Sequence, residues 1–173
     1  MQDNIIVKPS VEKQFDRFLR QGRVLFFSAP CGFGKTAVAE TLLSSREVLR
    51  LSADSAGFKL PSAEADWQIL LLDDLQDMQE EQDWNALCEL IRACPERRFV
   101  LLSRGTPPGS LMAFQYTGLM TVLEADDLLF DADDVRRLFQ LSGANVTDSE
   151  IDGILKESVG YPLGVAITAR CMS

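Results

Sequence analysis

The chain has 173 residues, of which 46% are hydrophobic and 25% charged, and a net charge of −9. This describes one globular domain, or one with a small appendage, whose acidic surface repels nucleic-acid backbones and anionic membranes. The sequence contains no histidine, which excludes Ser-His-Asp and Cys-His chemistry and histidine-bound zinc.

Four cysteines, Cys31, Cys88, Cys94 and Cys171, show no C-x-x-C spacing and fit reduced thiols in a cytoplasm. No apolar run approaches the roughly twenty residues of a membrane span, and no basic-then-apolar leader is present, so the chain reads as soluble and not exported.

Ser10 is suited to cap a first helix, with Val11, Phe15, Phe18 and Leu19 on one face. "RVLFFSA" reads as a buried strand, "GKTAVAETLLSS" as a helix and "EVLRLS" as a second strand. Residues 53–66 carry Gly57 and Pro61 and read as a loop. "WQILLLDD" suits a central parallel strand. "DWNALCELIRAC" places Trp84, Leu87, Cys88 and Ile91 on one helical face. "RRFVLLS" is a fourth strand, "GTPPGS" a turn and "MTVLEA" a fifth strand. Strands separated by helices predict an α/β fold with a parallel sheet covered on both faces.

After Asp126 the pattern becomes helical. Asp131 caps "DADDVRRLFQL", Thr147 and Glu150 stand at capping-box spacing, and "YPLGVAITARCM" carries its proline early. Residues 1–126 therefore read as a nucleotide-binding domain and 127–173 as a small helical lid, truncated within a longer parent.

"SAPCGFGKT" follows the first strand. Gly34, Lys35 and Thr36 match the end of a phosphate-binding loop, and Ala29 stands where the pattern prefers its first glycine. Glycines let backbone N–H groups curl round an anion without a Cβ in the way, and the following helix points its positive end at it. The nucleotide-binding stretch is thus Ala29, Pro30, Cys31, Gly32, Phe33, Gly34, Lys35, Thr36 and Ala37. Lys35 is placed to reach the β- and γ-phosphates and Thr36 to ligand Mg²⁺. Asp73 and Asp74 end the apolar strand: Asp73 suits the Mg²⁺ shell and Asp74 an attacking water, or both simply cap the next helix. Arg104 ends the following strand and points at a terminal phosphate if that strand lies between the loop strand and the Asp strand; the other reading is a surface salt bridge. Cys31 is a small residue fitting the turn, or a site of oxidation.

"SAPCGFGKT", "ILLLDDLQ", "VLLSRGTPP", "LEADDLLFDADDV" and "SVGYPLGVAI" together resemble the nucleotide-binding domains of MalT-like, large LuxR-type transcriptional regulators, in the STAND group of P-loop ATPases. The resemblance implies a five-stranded parallel sheet in the order 5-1-4-3-2 followed by a helical lid. It implies ATP or ADP and Mg²⁺ as ligands, Arg104 as a γ-phosphate sensor, Pro162 packed near the adenine and Ile5–Pro9 running past the base. In that family ATP with an inducer favours an oligomerising state that slow hydrolysis resets, and DNA binding belongs to a C-terminal helix-turn-helix domain absent from this chain. Partners implied are an adenine nucleotide and either further copies or other domains of a longer parent. Two departures stand out: only 36 residues separate Thr36 from Asp73, where the family has a longer helical insert, and Tyr161 replaces a common tryptophan. The other readings are a nucleotide-binding module without turnover and a small P-loop phosphotransferase.

Overall fold

The five apolar runs form five strands: the three central ones are buried on both faces, and the two edge ones are only partly covered. In the computed structural model, which describes residues 5–172, they are β1 (Val24–Ser28), β2 (Val48–Ser52), β3 (Ile69–Asp73), β4 (Arg98–Ser103) and β5 (Met120–Glu124). All pair in parallel, in the order β2-β3-β4-β1-β5, which is the predicted 5-1-4-3-2 read from the other edge.

Successive side chains of a strand point to opposite faces. Val24 and Phe26 therefore enter one core, where Leu87, Cys88 and Ile91 of α3 (Glu81–Ala93) meet the sheet. Leu25 and Phe27 enter the other, against α1 (Pro9–Gln21) and α2 (Lys35–Leu43). Trp67 packs edge-on against Phe99 at 5.5 Å in the first core, and Trp84 is half-buried beside it.

Two local expectations need correction. Ser10 does not cap α1: Pro9 takes the first helical position, and the Lys8 carbonyl accepts from the N–H groups of Val11 and Glu12 at 3.0 Å. Proline's fixed φ and missing N–H suit that position, so the cap moves from Ser10 to Lys8 and the helix starts two residues early. The turn read in "GTPPGS" runs at its end into helix, where none was expected. A 3₁₀ turn at Gly109–Leu111 leads into α4 (Met112–Tyr116), which buries Phe114. Five residues are too few for a periodic signal.

A short α5 (Ala125–Leu128) follows β5. Then α6 (Ala132–Leu141), α7 (Asp148–Ser158) and α8 (Pro162–Met172) pack around Val135, Leu138, Phe139, Ile151, Ile154, Val165 and Ala169. Their caps are the predicted ones. The Asp131 carboxylate accepts from the N–H groups of Asp133 and Asp134 at 3.0 Å, and Thr147 and Glu150 bond reciprocally. The segment before α1 lies between this helical layer and the sheet: Ile6 is buried in the helical cluster and Val7 in the α1–α2 core. Lys8 then ties the layers together, donating to the Leu129 carbonyl and pairing with the buried Asp134 at 3.7 Å.

Candidate phosphate-loop site

β1 ends at Ser28 and α2 starts at Lys35, so six residues turn the chain from strand to helix at the carboxyl edge of the sheet. Gly32 and Gly34 take φ of 82° and 76°, values that a side chain resists. Nothing lies within 4 Å of where a Cβ at Gly34 would stand, so that side of the turn is an open cradle.

Lys35 bridges the turn, its ammonium donating to the carbonyls of Ala29 at 2.6 Å and Pro30 at 3.0 Å. Burial lowers its pKa from the usual 10.5, against the opposing pull of Asp73. The Thr36 hydroxyl, in the first turn of α2, donates to the Asp73 carboxylate at the end of β3, at 2.7 Å. β4 lies between β1 and β3, so Ser103 and Arg104 emerge between the loop and the acidic pair. Asp74 sits at φ 55°, a left-handed conformation rare for a side-chain-bearing residue, and accepts from Gln76 at 2.9 Å; the Ser52 hydroxyl lies 3.1 Å away but has its closer acceptor in Asp54, at 2.6 Å.

A polar cleft of about 680 Å³ is walled by Cys31, Gly32, Gly34, Lys35, Thr36 and Ala37 on one side, and by Asp73, Asp74, Gln76 and Arg104 on the other. Ala29 is buried beneath the loop and Pro30 is exposed; both contribute carbonyls rather than walls. Phe33 and Pro162 line a second, apolar cleft of about 760 Å³, together with Ile5, Ile6, Val11, Val38, Leu128 and Phe130. The two clefts share Gly32, Gly34 and Ala37. One therefore has charge for phosphates and the other apolar walls for a flat ring, joined at the loop. The Thr36 hydroxyl and Asp73 carboxylate are hard oxygen donors and fit Mg²⁺.

Two residues at the site had no role assigned from the sequence. Gln76 donates to Asp74 at 2.9 Å and accepts from the backbone N–H of Arg104 at 3.2 Å, joining the ends of β3 and β4. Tyr161, at the start of the last helix, donates to the Cys31 carbonyl at 3.0 Å and packs edge-on against Phe33, ring centres 5.3 Å apart. No signal in the sequence marks the first. The second adjoins Pro162, but its reach across 130 positions is a tertiary fact.

No protein-family model matches this sequence, and no curated protein matches it. Solved structures do. The Thermotoga maritima RuvB Holliday junction branch migration motor superposes with a TM-score of 0.64 at 16% identity, over 95% of this chain and 61% of that one. A Walker-type ATPase of Pyrococcus abyssi gives 0.66 at 12%, over 97% and 67%. A DNA replication initiation factor gives 0.52 at 16%, over 96% and 66%. This chain thus has the fold of P-loop ATPases and spans about three-fifths of the length of RuvB.

Proposed function

We propose that this chain is the ATP-binding switch domain of a LuxR-type transcriptional regulator, with weak Mg²⁺-dependent hydrolysis. The carrying observation is the Thr36–Asp73 hydrogen bond, which closes the phosphate loop and the acidic strand end into one cleft. The adjoining apolar cleft supports adenine as the base, held between Phe33, Pro162 and the Ile5–Lys8 segment.

In this reading Gly32 to Ala37 cradle the phosphates through backbone N–H groups and Lys35 neutralises their charge. Thr36 and Asp73 hold Mg²⁺, which supplies charge neutralisation at the phosphates when bound. Asp74, held by Gln76, orients the attacking water, and Arg104 meets the terminal phosphate. Among the described residues lining the polar cleft, Lys35 and Arg104 are the only cations, which supports slow turnover. The phosphotransferase reading loses support because Arg136 is bound by Asp133 and Asp148 at 2.7 and 2.8 Å, and it lines, with Arg137, a cleft other than the polar one. The helical layer would act as the lid, and DNA contact would belong to a helix-turn-helix domain elsewhere in the parent.

The test is calorimetric titration of ATP, ADP and GTP with Mg²⁺, with Lys35→Ala as control. Binding of ATP and ADP but not GTP, lost in the variant, is the expected result. A folded protein that binds none of them sinks the proposal.

A further inference from the structure

A loop that turns its N–H groups inward round an anion must turn its carbonyls outward, and outward carbonyls need donors. Four consecutive carbonyls of this loop have them, from two sources. Lys35 serves Ala29 and Pro30, at 2.6 and 3.0 Å. The last helix serves the next two: the Tyr161 hydroxyl donates to Cys31 at 3.0 Å, and the Leu163 backbone N–H to Gly32 at 3.2 Å.

The two sources respond differently to a ligand. An anion in the cradle draws the Lys35 ammonium toward itself, and the carbonyls of Ala29 and Pro30 then lose a donor. The bonds from Tyr161, just before α8, and from Leu163 in its first turn do not compete with the anion. Tyr161 also fits the loop closely. A Cβ at Gly32 would overlap its hydroxyl, and its ring rests on Phe33. The helix is held in place behind it, because Gly160, at φ 75°, abuts the Phe130 carbonyl with no room for a side chain.

We propose that Tyr161 is a positioning residue which holds the phosphate loop from the helical lid, so that anion binding at the loop depends on the lid being docked. Its contribution is larger with the ligand bound than without, since Lys35 shares the work only in the free protein. The identity of that ligand, though not the loop clamp itself, rests on the nucleotide reading above.

Tyr161→Phe keeps the ring against Phe33 and removes the hydroxyl. Two readouts follow. The affinity for ATP with Mg²⁺ falls about fivefold, the size of one ordinary hydrogen bond, while the unliganded melting temperature barely moves. Independently, Cys31 is exposed on the clamped loop and Cys171 is exposed at the far end of α8, ten positions from Tyr161, while Cys88 and Cys94 are buried. Without nucleotide, alkylation of Cys31 by iodoacetamide should accelerate about threefold in Tyr161→Phe, with Cys171 as an unchanged internal standard. Tyr161→Ala, which also loses the ring contact, should show both effects more strongly. Equal ATP affinity and equal Cys31 rates in Tyr161→Phe and the unaltered protein overturn the proposal. If neither protein binds ATP but Cys31 still accelerates, the clamp stands and the nucleotide reading falls.

Discussion

The Thr36 hydroxyl and the Asp73 carboxylate, 37 positions apart in sequence, meet at 2.7 Å and join the first turn of α2 to the end of β3. Paired hard donors of this kind predict that Mg²⁺ strengthens ATP binding. Asp73→Asn and Thr36→Ala should each remove most of that enhancement while leaving metal-free ATP binding nearly unchanged. Calorimetry with Mg²⁺ and with a chelator reads it directly. An enhancement that survives both substitutions would place the metal elsewhere.

Arg104 emerges between the loop and the acidic pair, where a third phosphate would lie in the proposed mode. Arg104→Ala should narrow the preference for ATP over ADP about tenfold, in the range of one charge-assisted contact. Gln76→Ala should move the same ratio less and slow turnover more, because Gln76 holds both Asp74 and the Arg104 backbone. Unchanged ratios and rates in both variants would remove these residues from the chemistry.

Gly32 and Gly34 share a left-handed backbone but not their surroundings. Gly32→Ala meets the Tyr161 hydroxyl as well as backbone strain and should cost about 2 kcal/mol or more. Gly34→Ala meets open space and should cost only about 1 kcal/mol. Its added methyl nevertheless borders the cradle, so phosphate affinity should fall further than stability does. Chemical denaturation of the two variants separates the effects.

Asp134 is buried, and that burial raises its pKa above the usual 3.8. The Asp131 backbone N–H, Lys8 and Arg137 pull the other way, and the Asp131 carboxylate adds to the rise. A carboxyl with a raised folded pKa favours the fold fully below 3.8 and loses that contribution as pH climbs through the folded value. Asp134→Asn does not titrate. Its stability relative to the unaltered protein should therefore improve as pH rises from about 3.8 toward neutrality. A difference that stays flat with pH would show that the Lys8 pairing fully offsets the burial.

Lys35 carries the opposite kind of shift, a cation lowered by burial. Phosphate binding needs its proton, so ATP affinity should decline with rising pH before 10.5 is reached. Lys35→Arg should hold whatever affinity it retains constant over the same alkaline range. Isothermal titrations at several alkaline pH values would reveal a pH-independent affinity if Lys35 lies off the phosphates.

Much of this molecule is written in local pattern. The strand runs, the glycine turn before Lys35 and the caps at Asp131 and Thr147 each depend on a few neighbouring residues, whose backbone preferences act at short range. The strand order was also expected before the structure, but from the resemblance of several motifs taken together rather than from periodicity. The early start of α1 at Pro9 and the five-residue α4 were misread, the one because two residues competed for the same helix end and the other because it is too short to show a period. Gln76 and Tyr161 lay beyond reach for a different reason. Their importance comes from which carbonyl or N–H they meet after the sheet has brought β3 beside β4 and the last helix against the loop. Residue type and spacing alone could place an anion cradle beside an acidic pair. Which donors fasten the back of that cradle was decided by packing, because outward-facing carbonyls accept from whatever group the folded chain brings within about 3 Å.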